Sequence, residues 1–154
     1  MSSNLAALLP QIAPTAIEWA TRFSRMANPR GVPLIAPHIE LARTVGVQHP
    51  EFIRICLVDQ IPLPEDPLIQ SAASQVGLVQ SNMAGLTLGY TVFIRATVQA
   101  DIRLLSHEFR HVAQYEACGG IAQFLAVHLG HLVAFGYEDS PFEVDARAHE
   151  RHGP

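Results

Sequence analysis

Leu104-Leu105-Ser106-His107-Glu108-Phe109-Arg110-His111-Val112-Ala113-Gln114-Tyr115 reads as a helix on its spacing. Apolar residues at Ile102, Leu105, Phe109 and Val112 recur every three or four positions and mark a core-facing stripe. Asp101 is placed to cap the first turn and Gly119-Gly120 to end the last. On such a helix residues four apart stand one above the other, so His107 and His111 can aim two imidazoles at one point off the surface. That is the geometry a zinc ion needs. Glu108, rotated by roughly 100° from His107, cannot join them as a third ligand but can touch a water beside the metal, the position of a general base. The competing reading is two solvated histidines on an ordinary helix; the apolar context favours the metal.

Working downstream, Ile121 to Phe135 is again helical and unusually apolar. His128 and His131 fall on its Phe124–Phe135 stripe, three apart, where a histidine either approaches the metal or is satisfied by a backbone carbonyl. Gly136 to Pro141 reads as a loop. Ser140-Pro141-Phe142-Glu143 then opens a last helix that carries Val144, Ala146, Ala148 and His149 to a frayed polar end. Catalytic zinc keeps three protein ligands, and Glu143, 32 residues beyond His111, is the best-placed carboxylate. Ser140-x-x-Glu143 is equally a capping box, in which Glu143 would bond back to the Ser140 amide. The residues alone leave that choice open.

Upstream, Asn4 is placed to cap a short helix to about Ile12, which Pro10 and Pro14 cut off. Thr15-Ala16-Ile17-Glu18 is a capping box for a second helix that ends at Asn28-Pro29. A Pro29–Pro33 turn leads to a helix starting at Pro37 and stopped by Gly46. Glu51 to Asp59 gives a strand central to a small sheet. Asp66-Pro67 opens a helix over Leu68 to Val76, stopped by Gly77. A turn cluster at Ser81 to Gly85 precedes a strand, kink, strand over Leu86–Tyr90 and Thr91–Arg95, with Gly89 at a bulge or close backbone approach.

The 154 residues make one domain by length, α+β and mostly helical, with a small mixed or antiparallel sheet before the metal-site helix. Residues 1–80 are a helical part with one strand, and 81–154 the metal-site half. A net charge of −4 with dispersed Lys and Arg gives no electrostatic case for nucleic acid or an anionic membrane. With no long apolar run and no positive flank at the N-terminus, the chain reads as cytoplasmic. Cys56 and Cys118 lack CxxC spacing and read as buried thiols, outside any metal site. Hydrophobic content of 49% against 16% charged hints at one covered surface, by a partner or a second copy in a homodimer.

His107-Glu108-Phe109-Arg110-His111 resembles the zincin metallopeptidases, and a glutamate from a later helix resembles their gluzincin branch. The likeness extends over Ala84-Gly85-Leu86-Thr87-Leu88-Gly89, Leu104 to Tyr115, and Pro141-Phe142-Glu143-Val144-Asp145-Ala146, as in bacterial zincin-like domains. It covers roughly the C-terminal half. The resemblance implies one Zn2+ per chain on His107, His111 and Glu143, with Asp145 in the place of a second acidic residue. Many gluzincins carry an aspartate where this chain has Arg147, which leaves open which side chain holds a liganding histidine from behind. The implied activity is hydrolysis of an amide in a peptide or protein, with Glu108 as general base. Thr91 to Arg95 is expected along the cleft as an edge strand, and Tyr137, His131 or Tyr115 as an oxyanion donor. The alternative is a non-catalytic zincin-derived binding or scaffold domain, with zinc structural or absent. In its favour, only eleven residues follow Glu143 to wall a cleft. A further alternative is an obligate dimer whose partner copy closes that cleft.

Overall fold

A computed structural model describes residues 2–78 and 83–153, with side chains from Asn4 onward. The fold is α+β, with a four-stranded mixed sheet between helical layers.

Instead of two helices divided at Pro10 and Pro14, one helix, α1 (Ser2–Ala27), contains both prolines. An interior proline removes one hydrogen bond and presses on the carbonyl four residues back. Those carbonyls belong to Ala6 and Pro10, which lie with Pro14 on the exposed face, where water can replace the lost partner. The opposite face buries Leu5, Ile12, Ala16 and Ala20 against the apolar helix that starts at Ile121. Burial of that stripe outweighs the local breaks, and Thr15 to Glu18 is helix interior rather than a cap.

Next come β1 (Val32–Pro33), α2 (Ala36–Thr44), β2 (Arg54–Val58) and α3 (Pro67–Gln75). Asp66 caps α3 by accepting from the amides of Leu68 and Ile69, and Gly46, at a φ of +103°, follows the end of α2. The segment expected as a turn thus supplies the short strand β1. β2 starts later than Glu51 because Pro50–Phe52 forms a single 3-10 turn. Ser81 and Asn82, part of the expected turn cluster, lie outside the described residues.

β3 (Gly85–Leu88) and β4 (Thr91–Arg95) form an antiparallel hairpin. Gly89 takes a φ of +66° in its two-residue turn, so the chain reverses where a kink in one strand was expected. The close approach holds, since a Cβ on Gly89 would lie 3.2 Å from Ile121. The strand order is β1-β2-β4-β3, with β2 parallel to β4 and the other pairs antiparallel. This corrects the expected edge at Thr91–Arg95: β4 is interior, and the free edge belongs to β3.

Side chains on β4 alternate between two cores. Val92 and Ile94 pack with Leu105, Phe109 and Val112 of α4 (Ile102–Cys118) and with Ala42 of α2. Phe93 packs on the other face with Ala20 of α1. With both faces covered, the strand is apolar nearly throughout, as buried strands are. Its one hydroxyl, on Thr91, pairs with Ser24 of α1 at 2.8 Å.

The chain ends in α5 (Ile121–Asp139) and α6 (Pro141–Ala148). The loop expected from Gly136 is a one-residue break at φ 78°, ψ 169° followed by another helical turn. The break is anchored where the Tyr137 amide donates to the Val76 carbonyl at 2.8 Å. Among the described residues no single helix is long and apolar enough to cross a membrane.

Candidate metal centre

α4 is fixed at both ends by local chemistry. Asp101 accepts from the Leu104 amide, and Gly119 reverses the chain at a φ of +102°. Leu105, Phe109 and Val112 are fully buried under the sheet, which sets the rotation of the helix and turns His107 and His111 toward α6. Their rings stand edge to face, with centroids 4.9 Å apart.

Glu143 meets them from the first turn of α6. Its Oε1 lies 3.1 Å from Nε2 of His107 and its Oε2 2.8 Å from Nε2 of His111. The capping-box alternative is thereby excluded, because the carboxylate points to the histidines while the Ser140 amide donates to the Tyr137 carbonyl. One donor atom from each of the three side chains lies within 4.8 Å of the others.

The far side of each ring is held as well. Nδ1 of His107 lies 2.8 Å from Oε2 of Glu150. Nδ1 of His111 lies 2.7 Å from Oε1 of Gln114. The orientation of that amide follows from its other end, where Nε2 donates to the Phe142 carbonyl at 2.9 Å and to Asp145 at 2.8 Å. Its oxygen therefore faces His111 as an acceptor, and Nδ1 of His111 must carry a proton. Asp145 is in turn braced by Arg110, whose Nε is 2.7 Å away and whose Nη1 donates to the Val45 carbonyl. Arg147 leaves no gap, because Gln114 and Glu150 do the orienting.

The tail is not frayed as expected. The Arg151 amide donates to Ser106 Oγ on α4 at 2.8 Å, which holds Glu150 against His107. No periodic pattern in the sequence marks Glu150. Gln114, three residues beyond His111 on the same helix, carried a signal that the motif reading passed over.

Electrostatics follow from burial of this cluster. Burial alone would lower both histidines, but the Glu143 carboxylate outweighs it, raising His107 and pushing His111 up to about 9. Glu143 itself is buried, which opposes ionisation, yet the two imidazoles hold it well below the usual carboxylate range. Burial raises Glu108 against the pull of His111 and His107. Its Oε1 accepts from Thr87 Oγ1 at 2.8 Å. Gly85 of β3 allows this side chain its place, since a Cβ there would sit 2.9 Å from Cγ of Glu108.

The remaining expected site residues divide. Tyr137 lies at the centre, where burial and the neighbouring Glu143 raise its hydroxyl. The Tyr115 hydroxyl is committed to the Thr87 carbonyl at 2.9 Å, in the core, so it is not free to donate to a reacting oxygen. His131 packs on Phe142 and Phe135, away from the trio. His128 lies nearer, in the wall of an apolar cavity that also touches His111 and Glu143.

The centre opens on two sides. An apolar cavity of about 190 Å³ lies between α1, α3, α5 and the β3 edge, reaching Glu108, His111 and Glu143. A polar cleft of about 360 Å³ is lined by His107, Glu108, Tyr137 and Glu150. The wall of the apolar cavity that faces the trio is supplied by α1 and α3. Comparison with protein-family models, curated proteins and solved structures found no match.

The donor chemistry fits a divalent cation. Glu150 and Gln114 are acceptors on the Nδ1 atoms, so in their neutral form the rings would present Nε2 lone pairs to the carboxylate. Acceptors aimed at one another require a positive charge between them, from protons on the rings or from a metal. Two imidazoles and a carboxylate, each ring oriented by a partner on its other nitrogen, form a common zinc donor set.

Proposed function

We propose that the protein is a zinc-dependent hydrolase of amide bonds, with one Zn2+ per chain held by His107, His111 and Glu143. The observation that carries this reading is the convergence of three donors: Gln114 holds a proton on Nδ1 of His111 and turns Nε2 to Glu143, beside Nε2 of His107, so that a metal can take the place of the protons that bridge them. When bound, zinc supplies a Lewis acid and lowers the pKa of a coordinated water towards about 7.

The remaining steps belong to this chain's own groups. Glu108 takes a proton from the attacking water, and its raised pKa suits it to hold that proton and deliver it to the leaving nitrogen. Thr87 fixes the carboxylate through Oε1, leaving Oε2 beside Gly85 for the water. Tyr137 is the donor best placed for the developing oxyanion. Alternation along the β3–β4 ladder turns the backbone N–H and C=O of Gly85 to the outer edge, where an extended peptide could add as a strand.

The rival reading is a non-catalytic domain in which Glu143 and the histidines form a proton-bridged ion pair joining α4 to α6. Their burial and direct contact favour it. Glu108→Gln separates the two. Assayed on a peptide library in zinc-supplemented buffer, wild type should turn over substrate, and Glu108→Gln should keep its zinc while losing activity by at least about 10²-fold. Equal activity in both proteins would remove the mechanism.

A further inference from the structure

We infer that the apolar cavity beside Glu108, His111 and Glu143 seats a linear hydrocarbon chain, so that the amide hydrolysed is one carrying an acyl or alkyl chain of about six to ten carbons. Hydrolysis rests on the function proposed above, whereas binding of a hydrocarbon chain rests on the cavity alone.

The space is partly open to solvent and lined almost wholly by apolar side chains, with a volume of about 190 Å³; a concave, mostly apolar site with a few converging polar groups is the usual form of a small-molecule site. Small residues keep it open: Ala16 of α1 and Ala72 and Ala73 of α3 stand in its wall where larger apolar side chains would fill it. An apolar cavity of about 150 Å³ takes benzene, so this volume takes roughly six carbons or somewhat more. The lining follows α1 from Leu5 to Ala20 and α5 from Phe124 to Val133, rises of about 22 Å and about 14 Å along those helices, so the apolar wall is long enough to lie along an extended chain. Its few charged and polar side chains include Glu108, His111 and Glu143, which places the polar end of an occupant at the candidate centre. His128 stands in the same wall with a buried Nδ1 that has no partner among the described residues.

The test titrates the purified 154-residue chain, equilibrated with zinc, with two series: n-alkanols from butanol to decanol, which need no metal, and alkanoyl hydroxamates from acetyl to decanoyl, which add a zinc-binding head. Affinity in both should rise by about threefold to fourfold per methylene up to six to ten carbons and then level. Ala73→Phe, or Ala16→Leu should the first not fold, is expected to flatten both slopes while leaving acetohydroxamate binding unchanged. No slope in either series, a slope unchanged in the filled variants, or 3-phenylpropanol binding more tightly than nonanol would overturn the chain. The two readings fail separately. A slope with hydroxamates no better than alkanols leaves the chain site standing and removes the metal. Tight acetohydroxamate binding with no slope does the reverse.

Discussion

Glu150 Oε2 lies 2.8 Å from Nδ1 of His107, although 43 residues separate them along the chain. The contact places a negative charge behind the ring and directs its other nitrogen toward Glu143. Partners of this kind typically contribute 10- to 100-fold to metal affinity. Glu150→Ala is therefore expected to weaken zinc binding by about 10- to 100-fold, read by competition with a chromophoric chelator. Glu150→Gln keeps an acceptor and should lose less. Unchanged affinity in both variants would remove Glu150 from the site.

Gln114 joins His111, Asp145 and the Phe142 carbonyl in one buried network. Gln114→Leu strands the His111 Nδ1–H, which costs about 1–3 kcal/mol when left unsatisfied, while the Asp145 carboxylate keeps Arg110. Denaturant unfolding of the metal-free protein should show a loss in that range, and zinc affinity should fall with it. Gln114→Glu keeps an acceptor for His111 but sets a second carboxylate against Asp145. It is expected to retain zinc and lose stability.

Gly85→Ala probes the general base without touching a metal donor. The new Cβ would lie within about 3 Å of the Glu108 side chain, and that carboxylate has little room to give, being 5% exposed. The variant should keep its zinc, lose about 1–3 kcal/mol of stability through overpacking, and lose most of its turnover. Full kcat with zinc retained would show that the position of Glu108 does not govern the reaction.

His128 predicts an acid limb in stability. Burial lowers its folded pKa to about 4, below the usual value near 6.5. The unfolded chain therefore binds the proton more tightly, and the contribution is fully present above about pH 6.5 and lost as pH falls toward 4. The total change attributable to this ring is up to about 3 kcal/mol. Urea midpoints of wild type minus those of His128→Phe, measured from pH 7 to 4, should fall with acid. A flat difference would place His128 in solvent.

What the sequence reading captured was local. Asp101, Gly119 and the His107–His111 spacing define α4 within a few turns, and Asp66, Gly77 and Gly46 do the same for its neighbours. Position in the sheet was not local. β4 looks like any apolar strand, and only the neighbouring β2, from a distant segment, makes it interior and leaves the edge to β3. Pro10 and Pro14 misled because their cost depends on facing solvent, which requires knowing what α1 packs against. Glu143 was ambiguous for the same reason: its spacing from Ser140 suits a cap, and only the approach of α4 draws it to the histidines.

If two imidazoles and one carboxylate converge on a single cation, metal stoichiometry must follow those three residues. Elemental analysis of the purified wild-type chain, re-equilibrated with micromolar zinc and desalted, should give about one zinc per chain. His107→Ala, His111→Ala and Glu143→Ala, each shown to be folded by circular dichroism, should give close to none. A folded wild-type chain that takes up no zinc, or a Glu143→Ala chain that retains a full equivalent, would contradict the account.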